Sequence, residues 1–207
     1  MTLYRNREMF QRLSISIGLF FSRLGLTPNQ WSVFSIAPAI VSVYFILQKD
    51  FLPASVLFGI SAFFDIIDGS VARVTGRVTI KGAYLDTIVD RYVEFLIILS
   101  LILIDVPRPS DFIGFLPPLP FSFWVAAYLF GSLMTTYAKA AAMEKRLVEK
   151  EIKGGLLERA ERMVILFFAI LLASYNIIFL SIAITILALL ANITALQRIW
   201  TGMNNQE

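Results

Sequence analysis

Residues 163–196 run without a single charged side chain. As helix, that stretch would measure about 51 Å at 1.5 Å per residue. The hydrocarbon core of a bilayer is only about 30 Å thick, so the run is expected to fold back on itself rather than cross once. The break is expected at Ser174-Tyr175-Asn176, with spans at about 157–174 and 177–196. Four earlier apolar stretches have similar length: about 29–48, entered through Thr27-Pro28-Asn29; about 52–73; about 82–104; and about 119 into the 140s, after the proline-rich loop 107–120. Of the 207 residues, 57% are hydrophobic and 16% charged, against ~45–50% and ~25% in soluble domains. The sequence therefore predicts an all-α integral membrane protein with six transmembrane helices.

Before the first span, Arg5, Arg7, Arg12 and Arg23 alternate with Leu3, Phe10, Leu13, Ile17, Phe20 and Phe21. Their uninterrupted apolar part is too short to cross. Residues 1–26 read as an amphipathic juxtamembrane helix lying at the interface, or as a frayed tail. They carry no signal-peptide cleavage pattern, so retention is expected. Residues 27–200 form the six-helix transmembrane domain. With six spans, one face receives those four arginines, then Arg73, Arg77, Lys81 and Arg91, then Lys139, Lys145, Arg146, Lys150, Lys153, Arg159 and Arg162, and finally Arg198. The other face receives only Lys49 and Arg108. That asymmetry predicts a multi-pass cell-membrane protein with both termini cytoplasmic. It also accounts for the +3 net charge without invoking nucleic acid.

Histidine and cysteine are both absent. Disulfides, zinc clusters, haem ligation and Cys or Ser-His-Asp nucleophiles are excluded with them. The acidic residues carry the functional signal instead. Asp65 and Asp68 are spaced i, i+3 late in the second span, and Asp86 and Asp90 are spaced i, i+4 early in the third; each pair shares a helix face. The helices join through the short polar stretch 74–81, so they run antiparallel. Asp65 and Asp90 then match in depth, as do Asp68 and Asp86. Four converging carboxylates cannot all stay ionised without compensating cations. An oxygen-only donor set suits Mg²⁺ or Mn²⁺, and four carboxylates can hold two such ions, as in phosphoryl-transfer sites. A proton relay or Asp–Arg network in a cation- or proton-coupled transporter uses the same residues; inverted repeats or broken midplane helices, which transporters often show, are not evident. Gly69 and Gly82 beside the acids allow close approach of a ligand or of another helix.

Together these residues read Asp65-x2-Asp68-Gly69-x2-Ala72-Arg73-x8-Gly82-x3-Asp86-x3-Asp90, a pattern that resembles the signature of the CDP-alcohol phosphotransferase family without departure. The resemblance implies an enzyme that transfers a phosphoryl-alcohol group from a CDP-linked lipid to an acceptor hydroxyl and releases CMP. By the same resemblance, Asp65, Asp68 and Asp86 ligate one metal, and Asp65, Asp86 and Asp90 surround a second. Asp90 is the general base. Gly69, Ala72 and Gly82 make room for the nucleotide, Arg73 meets its phosphates, and Asn29 approaches the diphosphate. A homodimer and a cytoplasmic active site are implied as well.

A second basic group bears on the acceptor. Lys139 ends the fourth span, and Arg159 and Arg162 share a face at the start of the fifth, after Gly154-Gly155. They suit either a monophosphate clamp or anchoring to lipid headgroups. The string Tyr137-x-Lys139-Ala140, with Gly154-Gly155 and Glu158-Arg159-x2-Arg162, resembles the inositol-phosphate-using subgroup, the phosphatidylinositol-phosphate and archaetidylinositol-phosphate synthases. That subgroup often reads Lys-Ala-Arg-Ala-Glu, where this chain has Lys139-Ala140-Ala141-Ala142-Met143. Glycerol phosphate, serine, or a CDP-inositol donor remain open within the family.

Overall fold

In the computed structural model, residues 2–148 and 155–204 are described, with side chains from residue 12 onward. Lys150, Lys153 and Gly154 lie outside the described residues, as do the side chains of Leu3, Arg5, Arg7 and Phe10. Eight α-helices and one 3₁₀ turn follow in order, with no strand among the described residues: α1 (Thr2–Ser22), α2 (Pro28–Phe34), α3 (Ile36–Leu47), α4 (Phe51–Val74), α5 (Ile80–Ile102), the 3₁₀ turn Pro109–Asp111, α6 (Phe121–Glu144), α7 (Arg159–Ala173) and α8 (Ile178–Asn204). A helix stands at each stretch where the sequence predicts one. The turn after Ala173 falls at the expected break, and α8 runs beyond the expected end.

Local chemistry sets the boundaries. The Thr27 side chain accepts from the Gln30 N–H while the Gln30 side chain accepts from the Thr27 N–H, a capping box that starts α2 with Pro28 in its first turn. Pro38 has no N–H for the Phe34 carbonyl, and the helix breaks at Ser35. The Ser61 hydroxyl donates to the Ser35 carbonyl at 2.7 Å, tying α4 to the chain at that break.

Among the described residues, three helical stretches are both long and apolar enough to cross a bilayer: Pro28–Leu47, Phe51–Val74 and Ile178–Asn204. The other three expected crossings fall short of that standard for physical reasons. α5 carries Lys81, Asp86, Asp90, Arg91 and Glu94; α6 is diluted by hydroxyls and ends in charge; α7 has 15 residues, about 22 Å of helix.

The chain divides into two compact units, Met1–Phe45 with Val56–Ile97, and Ile46–Ser55 with Ile98–Glu207. In the first, Trp31, Ile67 and Val71 form a buried cluster against Ile17, Phe21, Leu26 and Phe64. Trp31 packs edge-on against Phe21 and Phe64, with ring centroids 5.4 and 5.5 Å apart. Phe64, Ile67 and Val71 make one stripe of α4, with Asp68 at its edge, four residues after Phe64 and three before Val71, and Asp65 further round the helix. In the second unit, α8 packs along α6 and α7. Gly131 permits a close α6–α8 approach, since a Cβ there would stand 2.7 Å from Asn192 Nδ2.

Candidate active site

The turn between α4 and α5 aligns the acids. Gly76 takes φ +66°, and the Arg77 N–H bonds the Ala72 carbonyl at 3.0 Å, a glycine-dependent helix ending. The Thr79 hydroxyl accepts from the Gly82 N–H at 3.0 Å and opens α5. Across this turn, one carboxylate oxygen from each of Asp65, Asp68 and Asp86 lies within 4.8 Å of the other two. Asp90 stands one helical turn further along α5, outside that trio. Asp68 is only 5% exposed, and the Ser32 hydroxyl donates to its Oδ2 at 2.5 Å. Asp65 and Asp86 are half-buried.

This donor set fits a hard divalent cation. Three carboxylates held this close repel one another unless positive charge joins them, and every donor is oxygen. The Ser32 bond fixes one carboxylate in the way that outer partners orient metal ligands.

Beside the trio lies a cavity of about 350 Å³ walled by α2, α4, the turn and α5. Asn29, Gly69, Ala72, Arg73 and Gly82 all line it, together with Asp68 and Asp86. Gly82 sits in close quarters: a Cβ would stand 3.1 Å from Asn29 Oδ1 and 3.0 Å from Thr79 Oγ1, so those side chains would have to give by a few tenths of an ångström. Arg73 lies over Gly69, its Nη1 being 3.4 Å from where a Gly69 Cβ would be. Arg73 Nη2 donates to Ser14 Oγ at 2.8 Å and reaches Ser70 Oγ at 3.4 Å.

The basic residues belong to the second unit. Lys139 and Arg159 are half-buried. Arg162 is 1% exposed; its guanidinium donates to Ser132 Oγ at 3.2 Å and to Thr135 Oγ1 and the Leu157 carbonyl, each at 3.4 Å. Arg198 donates to the Thr135 carbonyl at 3.0 Å, so two arginines converge on one residue of α6, a turn before Lys139. The segment entering α7 is fixed to α8, with the Leu157 N–H bonding Thr194 Oγ1 and the Leu156 N–H bonding Gln197 Oε1, each at 3.1 Å.

Several of these residues escaped the sequence reading. Ser32, Ser14 and Ser70 are ordinary helical serines whose roles arise only from their neighbours in space. Arg198 appeared only as a topological charge. Thr79 had a legible signal, a threonine placed to cap the helix that carries Asp86.

Among the described residues, membrane-length helices and a carboxylate trio beside a glycine-lined cavity define a helical protein with a candidate site for a hard divalent metal. The chain belongs to the CDP-alcohol phosphatidyltransferase family, whose profile matches residues 25–196. It is a transferase, and this decides between the enzyme and transporter readings of the aspartates. It is 30% identical to archaetidylinositol phosphate synthase of Pyrococcus horikoshii, over 92% of this chain and 91% of that one. It is 33% identical to the bifunctional IPC transferase and DIPP synthase of Aquifex aeolicus, over 76% of this chain and 36% of that longer protein. The fold resembles phosphatidylinositol phosphate synthase of Mycobacterium tuberculosis solved with CDP-DAG bound, with a TM-score of 0.76 and 23% identity, covering 93% of this chain and 94% of that one. The same protein has been solved with manganese and citrate, with a TM-score of 0.76 and 24% identity, covering 92% and 89%.

Proposed function

We propose that this enzyme moves a phosphatidyl or archaetidyl group from a CDP-linked lipid to a hydroxyl of an inositol phosphate and releases CMP. The observation that carries the reading is the trio Asp65, Asp68 and Asp86 opening onto the cavity lined by Asn29, Gly69, Ala72, Arg73 and Gly82. Family membership and the inositol-phosphate-synthase relatives support it. Asp65, Asp68, Asp86 and Asp90 would hold two Mg²⁺ or Mn²⁺ ions, which when bound neutralise charge on the diphosphate.

The protein groups divide the remaining work. Gly69, Ala72 and Gly82 admit the nucleotide without a side chain in its way. Arg73 donates to the diphosphate oxygens, and Asn29 contacts them from α2. The acceptor hydroxyl attacks the lipid-side phosphorus, the bond from that phosphorus to the bridging oxygen breaks, and CMP leaves with the electron pair. Asp90 accepts the hydroxyl proton. Phosphoryl transfer of this kind rests on positioning and charge neutralisation, so no covalent enzyme intermediate is needed. Lys139, Arg159 and Arg162 bind the acceptor's phosphate.

We further propose six crossings, residues 1–26 as an interfacial helix ahead of the domain at 27–200, cytoplasmic termini and active site, and a homodimer. The test is mass analysis of the lipid product formed from CDP-lipid, Mg²⁺ and inositol phosphate. The expected product carries inositol phosphate. A product formed with glycerol phosphate or serine but never with inositol phosphate would replace the acceptor assignment.

A further inference from the structure

The N-terminal helix touches Arg73, which lines the cavity described above. Ser14 of α1 accepts from Arg73 Nη2 at 2.8 Å, and its hydroxyl lies 2.9 Å from that of Ser70 on α4. Ser70 is fully buried. The two hydroxyls and the guanidinium thus form a closed triangle. Gly18, one turn after Ser14, makes this approach possible: a Cβ there would stand 2.5 Å from the Ser70 carbonyl oxygen and 2.7 Å from Val74 Cγ2. Side chains on this face of α1 therefore touch α4 directly.

An arginine on an exposed helix end has many rotamers, and ordering it for a ligand costs conformational entropy. Both serines engage Nη2, and the guanidinium lies over Gly69 on the cavity wall, with Nη1 3.4 Å and Nη2 3.7 Å from where a Gly69 Cβ would be. The triangle therefore holds the guanidinium against the cavity wall.

We propose that Ser14 is a positioning residue for the diphosphate: α1 pre-orients Arg73, so a helix outside the signature sets affinity for the CDP moiety. This rests on the proposed function, since it takes the ligand of Arg73 to be that diphosphate. Ser14 touches no reacting atom, and its loss is expected to act on binding rather than on chemistry.

The experiment measures binding of CDP, in the presence of Mg²⁺, to the purified full-length protein and to Ser14→Ala, Ser14→Thr, Arg73→Ala and the Ser14→Ala/Arg73→Ala double variant. Donor KM and kcat are measured alongside. Loss of one hydrogen bond predicts about five- to tenfold weaker CDP binding in Ser14→Ala, with donor KM raised in proportion and kcat within about twofold. Ser14→Thr, which keeps the hydroxyl, restores binding. In the Arg73→Ala background, Ser14→Ala adds nothing, because the two act as one unit. Unchanged CDP binding in Ser14→Ala overturns the proposal, as does an effect that persists undiminished without Arg73. A fall in kcat alone, or failure of Ser14→Thr to rescue, overturns it too. A wild-type protein that binds CDP but releases no CMP contradicts the proposed function alone, while the binding comparison still decides the role of Ser14. A wild type that binds no CDP sinks both.

Discussion

Replacing Asp90 by Asn preserves the size of the side chain and removes its ability to take a proton. Asp90 lies outside the close trio of carboxylates, so chemistry and donor binding are expected to separate in this variant. Asp90→Asn should lower kcat by roughly 10²–10⁴-fold while CDP-lipid binding largely survives; turnover and binding measured on one preparation check this. Ser32 is a subtler case. Its hydroxyl fixes the buried Asp68 carboxylate at 2.5 Å, so Ser32→Ala should weaken Mg²⁺ or Mn²⁺ affinity by roughly tenfold, within the range seen when outer partners of metal ligands are removed. Titration of activity against metal concentration gives the value. The contrast also shows what a sequence can disclose at this scale. Aspartates in apolar helices are costly and spaced by the helical period, so they stand out. Serines are common in such helices, and only the tertiary contact tells Ser32 or Ser14 from the rest.

The helices follow from apolar length, and their places were legible for that reason. Their contacts depend on close approach and were not. Gly18 shows this: it is the point where α1 meets α4, with a Cβ position 2.5 Å from the Ser70 carbonyl. Gly18→Val should force the helices apart and cost about 1–3 kcal/mol, read as a lowered unfolding temperature together with weaker CDP binding. Arg162 gives the second case. Its i, i+3 spacing from Arg159 suggested a shared phosphate clamp; α7 also buries it, where it bonds Ser132, Thr135 and Leu157. Arg162→Ala should therefore destabilise the protein by about 2 kcal/mol or more, because buried acceptors lose their donor. Lys139→Ala, by contrast, should leave the unfolding temperature nearly unchanged and raise the KM for the acceptor. Thermal unfolding beside acceptor kinetics separates the two effects.

For the molecule as a whole, the charge asymmetry carries the proposed topology. Because the chain has no cysteine, single replacements report sidedness cleanly. Lys145→Cys should react with a membrane-impermeant maleimide only from the cytoplasmic face, and Arg108→Cys only from the opposite one. Labelling of both from the same side would remove the six-span arrangement. The all-helical class was readable from composition and run length alone. The expected crossings through α5, α6 and α7 were not secured that way, since α5 carries the site's charges, α6 is diluted by hydroxyls and α7 is short. The most direct test of the central claim is CMP release by the purified protein from a CDP-lipid, across a panel of polar alcohols, with Mg²⁺ and after its removal by chelation. The expected result is CMP with inositol phosphate that stops on chelation and returns when the metal is restored. No CMP with any acceptor, or release indifferent to chelation, would contradict the account.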